Sequence, residues 1–265
     1  MKLQTKHFFA KLLAVPCVIG IVGSAISASA ATINYGDFTG ATVDYINVRE
    51  DANSVDDVPP LFGAPTVTGD SIDFDPVGFN AAAGGASGID ITDGNLAFDI
   101  VAKPNYAINN VRFTEAGDTT LAGFGTDATF TSATARIFVD IKEVDGAGIS
   151  EINYQTSMTF SPDNGTYRLG TEGGGGPLFQ TIWNGLIDID VDQILTDNGI
   201  SFTSGATLVS INLDNTLVAS SQDGTTSFIA KKDADGVTIT TNLPEPSSML
   251  LALLGAAGLG MIRRR

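Results

Sequence analysis

The sequence contains almost no cysteine or histidine, the two side chains on which most catalytic and metal sites depend. It contains one cysteine, Cys17, and one histidine, His7, and both fall within its first 30 residues. The rest of the chain therefore cannot by itself form a Ser-His-Asp triad, a Cys-His pair, or a metal site with histidine or cysteine ligands. It cannot form a disulfide either, so its own hydrophobic core must stabilise it.

Positive charge is also scarce. The chain has 14 Lys and Arg residues against 30 Asp and Glu, and residues 31–243 contain eight of the former and 29 of the latter, a formal net charge of −21. Such a surface repels nucleic acid and anionic lipid. We therefore expect no nucleic-acid partner.

Helical periodicity is limited to one short stretch, residues 190–198. Val191, Ile194 and Leu195 are spaced for one helix face, Asp190 precedes them as an N-cap, and Gly199 follows where a helix ends. We predict one short helix here.

The remaining composition favours strands. Residues 31–243 are rich in Thr, Val, Ile, Phe, Gly, Asn and Asp, and apolar positions alternate in residues 96–100, 137–141 and, over a longer series, 152–160. Many short strands at regular spacing predict an all-β fold, a single two-sheet antiparallel β-sandwich of jelly-roll-like type with one short helix.

Further strands are predicted at residues 208–218, 227–231 and 237–240. We predict turns at residues 161–165, 221–224 and 233–236, and surface loops at residues 51–63, 80–88 and 173–176. The four glycines of the last segment are followed by no Gly-Lys-Ser/Thr, so a flexible loop is expected there rather than a phosphate site.

Calcium is the one cofactor with a candidate motif. Asp188, Asp190 and Asp192 are spaced like the opening of a calcium loop, and calcium prefers carboxylate oxygens. However, Gln193 stands where the loop needs glycine, and Gly199 where it needs glutamate. A half-exposed strand followed by a helix cap explains the three acids better, and calcium at this triplet is the weaker interpretation.

Carboxylate catalysis is the remaining enzymatic possibility. A glycoside hydrolase needs only two acidic groups about 5–10 Å apart in a cleft, and Trp183 could stack on a sugar. No acidic pair stands out in the sequence, so no catalytic residue is assigned.

The N-terminus has the three parts of a secretory signal peptide. Lys2, Lys6 and Lys11 form a positive region, residues 12–26 are largely apolar, and Ala28-Ser29-Ala30 is an A-x-A cleavage site. We predict a helical signal over residues 1–30 that is cleaved after Ala30.

The C-terminus also consists of three consecutive parts: a short motif, an apolar run and a basic end. A Pro244-Glu245-Pro246 motif precedes residues 249–262, which carry no charge, and Arg263, Arg264 and Arg265 end the chain. As a helix this apolar run reaches only about 21 Å, short of the ~30 Å hydrocarbon core. The arginines favour a cytoplasmic C-terminus.

Residues 244–265 resemble a PEP-CTERM sorting signal, which is recognised by an exosortase, a membrane cysteine transpeptidase. The resemblance implies that the PEP residues are the recognition motif and the arginines the cytoplasmic stop. An ordinary C-terminal membrane anchor that is never processed is the alternative.

We therefore expect an exported, non-enzymatic protein of the cell envelope or exopolysaccharide matrix, anchored transiently in the inner membrane by its tail. Its expected partners are the secretion machinery, an exosortase and extracellular polysaccharide. The alternatives are a carbohydrate-binding module of the matrix and, less favoured, a carboxylate-based glycoside hydrolase.

Overall fold

The structure, a computed structural model, describes residues 31–52, 57–170 and 176–242. The predicted signal peptide (residues 1–30), the sorting tail (244–265) and most of the glycine segment lie outside these residues. Among the described residues, no helix is both long enough and apolar enough to cross a membrane.

The described residues form fourteen strands, one α-helix and a 3-10 turn at Asp163–Gly165. In chain order the elements are β1 (Thr32–Thr39), β2 (Val43–Ala52), β3 (Thr66–Thr68), β4 (Ser71–Phe74), β5 (Asn80–Gly84), β6 (Gly88–Ala102), β7 (Ala107–Gly123), β8 (Phe130–Val144), β9 (Ala147–Ser157), β10 (Thr159–Ser161), β11 (Thr166–Arg168), β12 (Leu178–Asp190), α1 (Val191–Asp197), β13 (Ala206–Ser221) and β14 (Thr225–Asn242).

The strands form two layers. Sheet I has the order β1-β2-β6-β13-β8-β9, with β11 on the same edge of β8 as β9. Sheet II has the order β10-β12-β7-β14-β4-β3, with β5 also on the outer edge of β14. The sheets are continuous at one corner, where Ala206 of β13 pairs with Ile108 of β7. Every strand pairing is antiparallel.

The core lies between the inward faces of the two sheets and forms one continuous apolar cluster. The predicted alternation accounts for it: Ile137, Val139 and Ile141 are buried, whereas Phe138 and Asp140 between them face outward. The predicted fold class, an antiparallel two-sheet β-sandwich with one short helix, is confirmed.

The helix was predicted correctly. Asp190 caps α1 by accepting a 2.8 Å hydrogen bond from the Gln193 backbone N–H, and Gly199 follows with φ of +71°. The predicted turn at residues 221–224 is also present, with the Thr225 N–H donating to the Gln222 carbonyl at 3.0 Å.

The series 152–160 is not one strand, as predicted, but two. β9 pairs with β8 in sheet I, whereas β10 pairs with β12 in sheet II. Met158, between them, donates its N–H to the Ala135 carbonyl at 2.9 Å. Alternation continues across this change of sheet, so periodicity alone could not show it.

The turn predicted at residues 233–236 is wrong. β14 runs unbroken through it, and its register with β7 shifts between Lys231 and Asp233 and again before Thr238. The extra residues are absorbed as an irregularity within the strand rather than reversing the chain.

Two predicted surface loops are wrong in part. Residues 80–84 form β5, whose small side chains allow close packing on β14: a Cβ at Gly84 would lie 2.8 Å from Thr226 Cγ2. In the segment 51–63, Asp51 and Ala52 still belong to β2, and further on Leu61 and Phe62 are 4% and 1% exposed and enter the core.

Candidate functional site

The outer face of sheet I carries rows of polar side chains that lie opposite one another on neighbouring strands. Asp214 of β13 lies between Asn95 of β6 and Arg136 of β8. The next row along the strand has Asn212 between Ala97 and Phe138.

Hydrogen bonds link side chains along and across these rows. Asn95 Nδ2 donates to Asn212 Oδ1 at 2.5 Å, and Thr216 Oγ1 donates to Asp93 Oδ1 at 3.2 Å. A face with this many carboxylate, amide and hydroxyl groups can both donate to and accept from a polyhydroxylated ligand.

A groove of about 420 Å³ lies on this face beside the segment that leads from β9 to β11. Its volume falls in the range of pockets that take small ligands, about 300–1,000 Å³. Its walls combine the polar rows with the ring of Phe138, which is 36% exposed. The lining residues are Ala133, Thr134, Ala135, Arg136, Phe138, Ser157, Met158, Phe160, Asn164, Asp214 and Thr216.

The electrostatics of the groove centre on Asp214. Its partial burial raises its pKa, the charge of Asp93 and a hydrogen bond with that carboxyl raise it further, and Arg136 acts in the opposite direction. Asp214 therefore retains a proton more readily than an isolated carboxylate would.

This acidic pair does not have the geometry of a glycoside hydrolase. In such an enzyme the two carboxyl groups stand about 5–10 Å apart, with the scissile bond between them. Asp214 and Asp93 are hydrogen-bonded to each other, which leaves no room for a glycosidic oxygen between their carboxyl groups.

The three predicted calcium ligands each have a protein partner. Asp188 accepts hydrogen bonds from Arg112 and, at 2.6 Å, from Asn110; these bonds lower its pKa. Asp190 caps α1, as described above.

Asp192 accepts a 2.6 Å hydrogen bond from Asn109, and its burial raises its pKa. Within the part of the chain that the structure describes, no three His, Cys, Asp or Glu side chains are grouped so as to hold a metal ion. Calcium binding by the triplet stays a prediction.

A second cavity, of about 450 Å³, lies at one end of the sandwich between residues 101–106 and 203–207. Asp145 in its wall accepts hydrogen bonds from the backbone N–H groups of Thr203, Ser204 and Gly205 at 2.7–3.2 Å. Partial burial raises the pKa of Asp145, but these three donors outweigh it and lower the pKa overall. This carboxylate orders the loop before β13.

The sequence did not predict the buried charged groups. Glu50 is 1% exposed and accepts hydrogen bonds from the backbone N–H groups of Leu61, Phe62 and Gly63 at 2.8, 2.8 and 3.3 Å. It therefore fixes the segment that was predicted to be a surface loop. Glu115 and Lys231 are buried as an ion pair, with Nζ 2.7 Å from Oε1.

A signal for the ion pair was present in the alternation. Glu115 stands two residues after Phe113, and Lys231 two residues after Ile229, so both occupy inward-facing positions of their strands. A charged residue at such a position indicates a buried pair.

The residues predicted for sorting and signal cleavage lie outside the described residues. They are Ala28, Ala30, Pro244, Glu245, Pro246, Arg263, Arg264 and Arg265.

Comparison with known proteins identifies the C-terminal stretch. Residues 242–265 match the PEP-CTERM protein-sorting motif, in agreement with the resemblance noted in the sequence. No curated protein matches the chain.

Three solved structures are remotely similar to the body. TmCBM61, solved in complex with beta-1,4-galactotriose, is 10% identical over 71% of this chain and 88% of its own, with a TM-score of 0.22. The family 11 xylanase from Neocallimastix patriciarum is 9% identical over 81% and 99%, also with a TM-score of 0.22. The enzymatically active domain of tailspike protein 4 from bacteriophage CBA120 is 12% identical over 77% and 19%, with a TM-score of 0.19. Similarity at this level does not identify a function.

Proposed function

We propose that this chain, which ends in the sorting motif of exosortase-processed exported proteins, is a non-enzymatic component of the cell envelope or extracellular polysaccharide matrix. The sorting motif is the observation that carries the proposal. The body supports it in two ways: it has one continuous apolar core built without a disulfide, and the Asp93–Asp214 pair beside the groove lacks hydrolase geometry.

The sorting step can be tested with one epitope tag after Ala31 and another after Arg265. In a host that contains an exosortase, we expect released protein to keep the first tag and lose the second. Glu245→Ala should keep both tags and remain in the membrane fraction. If the parent protein keeps its C-terminal tag in such a host, the proposed processing is wrong.

A second candidate function, carbohydrate binding, is favoured by the groove on sheet I. Phe138 presents a partly exposed ring beside hydrogen-bonding groups, which is the combination that sugar rings require. Acidic side chains are frequent on this face, among them Asp93, Asp99, Asp140 and Asp214. A neutral polysaccharide therefore suits the groove better than a polyanionic one.

Affinity electrophoresis in gels that contain neutral matrix polysaccharides tests this candidate. We expect retardation of the parent protein and about tenfold weaker binding for Phe138→Ala, because truncating an aromatic side chain that is a hot spot of the interface costs more than about 1 kcal/mol. Phe124→Ala is the matched control, since Phe124 is fully exposed and does not line the groove.

If no polysaccharide retards the parent protein, the groove does not bind sugar, and the sorting proposal is unaffected. Equal weakening by both Phe variants would show that binding does not occur in the groove.

A further inference from the structure

Three polar side chains are buried together at inward-facing positions of three different strands. Glu115 belongs to β7, Asn215 to β13 and Lys231 to β14, and they are 3%, 1% and 2% exposed. β7 and β14 are neighbours in sheet II, whereas β13 belongs to sheet I. The Lys231–Glu115–Asn215 cluster therefore spans the space between the two sheets.

A single oxygen atom joins the cluster. Lys231 Nζ lies 2.7 Å from Glu115 Oε1, and Asn215 Nδ2 donates a hydrogen bond of 2.8 Å to the same oxygen. Because both distances are measured to the same oxygen, Lys231 Nζ and Asn215 Nδ2 cannot lie further apart than the sum of these two distances. The amine of Lys231 and the carboxamide of Asn215 are thus held close together within the core.

The surroundings of the amine are apolar. Its Nζ lies 4.9 Å from the ring centre of Phe62 and 4.8 Å from that of Phe79. Burial lowers the pKa of Lys231, although the charge of Glu115 and a hydrogen bond to it oppose the shift. In so dry an environment, transfer of a proton from the ammonium group to the carboxylate gives a neutral pair, which avoids two buried charges.

We propose that Lys231 and Asn215 react to form an intramolecular isopeptide bond, with Glu115 as the proton carrier. A desolvated, uncharged lysine is a nucleophile, and a carboxyl group at hydrogen-bond distance from both nitrogens can take a proton from one and give it to the other. The groups required for the reaction are all present in the core.

The steps balance without a further reactant. The neutral Nζ of Lys231 attacks Cγ of Asn215, and a Nζ–Cγ bond forms. Glu115 donates to Nδ2 the proton that it took from the ammonium group and accepts the proton that Nζ loses, the Cγ–Nδ2 bond breaks, and ammonia leaves. A cavity of about 10 Å³ that adjoins Glu115 is close to the size of one small molecule such as water or ammonia.

The bond would link β13 directly to β14, and so sheet I to sheet II. It would supply a covalent link across a core that has no cysteine available for a disulfide. An ordinary buried ion pair, in contrast, would leave both side chains intact, and this difference can be measured.

Mass spectrometry of the purified full-length chain decides between the two. Asp223 is the only acidic residue between positions 215 and 231, so a protease that cleaves at aspartate separates the two residues of an unlinked chain. We expect the denatured and digested parent to give two peptides that remain joined, about 17 Da lighter than their sum because one ammonia is lost. Separate peptides with intact Lys231 and Asn215 would overturn the proposal.

Variants test the role of each residue. Lys231→Met and Glu115→Gln should give separate, unmodified peptides, whereas Lys232→Met, a change at the adjacent exposed lysine, should leave the link intact. A link that persists in Glu115→Gln would show that Glu115 is not the proton carrier. The parent measurement decides on its own whether the bond forms, so a variant that fails to fold does not obscure the result.

Discussion

Glu50 provides the most direct test of how the body is stabilised. Its carboxylate accepts hydrogen bonds from the backbone N–H groups of residues 61–63. The side chains of Leu61 and Phe62 in this segment are buried. Glu50→Ala removes all three acceptors at once. The donors would then be left unpaired in the core, or the segment would have to leave the core to find water.

The expected cost follows from these contacts. A buried donor left without a partner costs about 1–3 kcal/mol, and more when its partner was charged. Three donors lose their partner together, so their costs add. Because the segment can partly relax towards solvent, we take the lower half of the combined range and expect Glu50→Ala to lower the free energy of unfolding by about 3–6 kcal/mol. For a domain of this size, that corresponds to a fall in Tm of roughly 10–20 °C.

Thermal and urea unfolding followed by circular dichroism measure this effect. Glu50→Gln keeps one side-chain oxygen and should lose about half as much stability. Glu151→Ala, a change at an exposed glutamate of β9, is the matched control and should change Tm by less than about 2 °C. If Glu50→Ala unfolds at the same temperature as this control, Glu50 is not a buried anchor and the reasoning fails.

Three further variants test other parts of the fold. Asp190→Ala should lower Tm by about 2–4 °C, because it removes the N-cap of α1; an unchanged Tm would show that the cap is dispensable. Gly117→Ala should cost at least about 3 kcal/mol by urea unfolding, because its Cβ would lie 2.0 Å from the Ala230 carbonyl oxygen and 2.4 Å from a Trp183 ring carbon; full stability would contradict this close packing. Asp214→Asn should raise Tm at pH 7 by up to about 3 °C. The pKa of Asp214 is raised in the folded state, so the folded protein favours the protonated carboxyl and loses stability as the pH rises through that pKa; asparagine removes this loss. The gain should shrink towards pH 4, and a gain that does not depend on pH would refute the assignment.

Much of the fold could be predicted because it depends on local patterns. Alternation at residues 137–141 places three side chains in the core, and the spacing of Val191, Ile194 and Leu195 after an aspartate defines the helix. Both signals require only neighbouring residues. The change of sheet at Met158 and the irregular register after Lys231 are decided by pairing with distant strands, which periodicity does not record.

The candidate sites depend on distant residues to a greater extent. The groove is built from β8, β13 and residues 157–164, and Asp214 in its wall interacts with Asp93, which is far from it in the chain. The pattern shows that Lys231 is an inward-facing lysine, but only the sheet order shows that Glu115 and Asn215 reach it from other strands. Sequence patterns can therefore indicate a buried polar residue without identifying its partner.

The two buried charged clusters are physically coupled. Glu50 holds the backbone N–H of Phe62, and the ring of Phe62 is one of the two that cover Lys231 Nζ. Releasing this segment in Glu50→Ala would admit water to the amine, restore its usual affinity for a proton and remove the neutral nucleophile that the isopeptide reaction needs. We therefore expect Glu50→Ala to contain a smaller fraction of linked peptide than the parent under conditions where both are folded. An equal fraction would mean that Phe79 and the rest of the core exclude water from Lys231 without the help of Phe62.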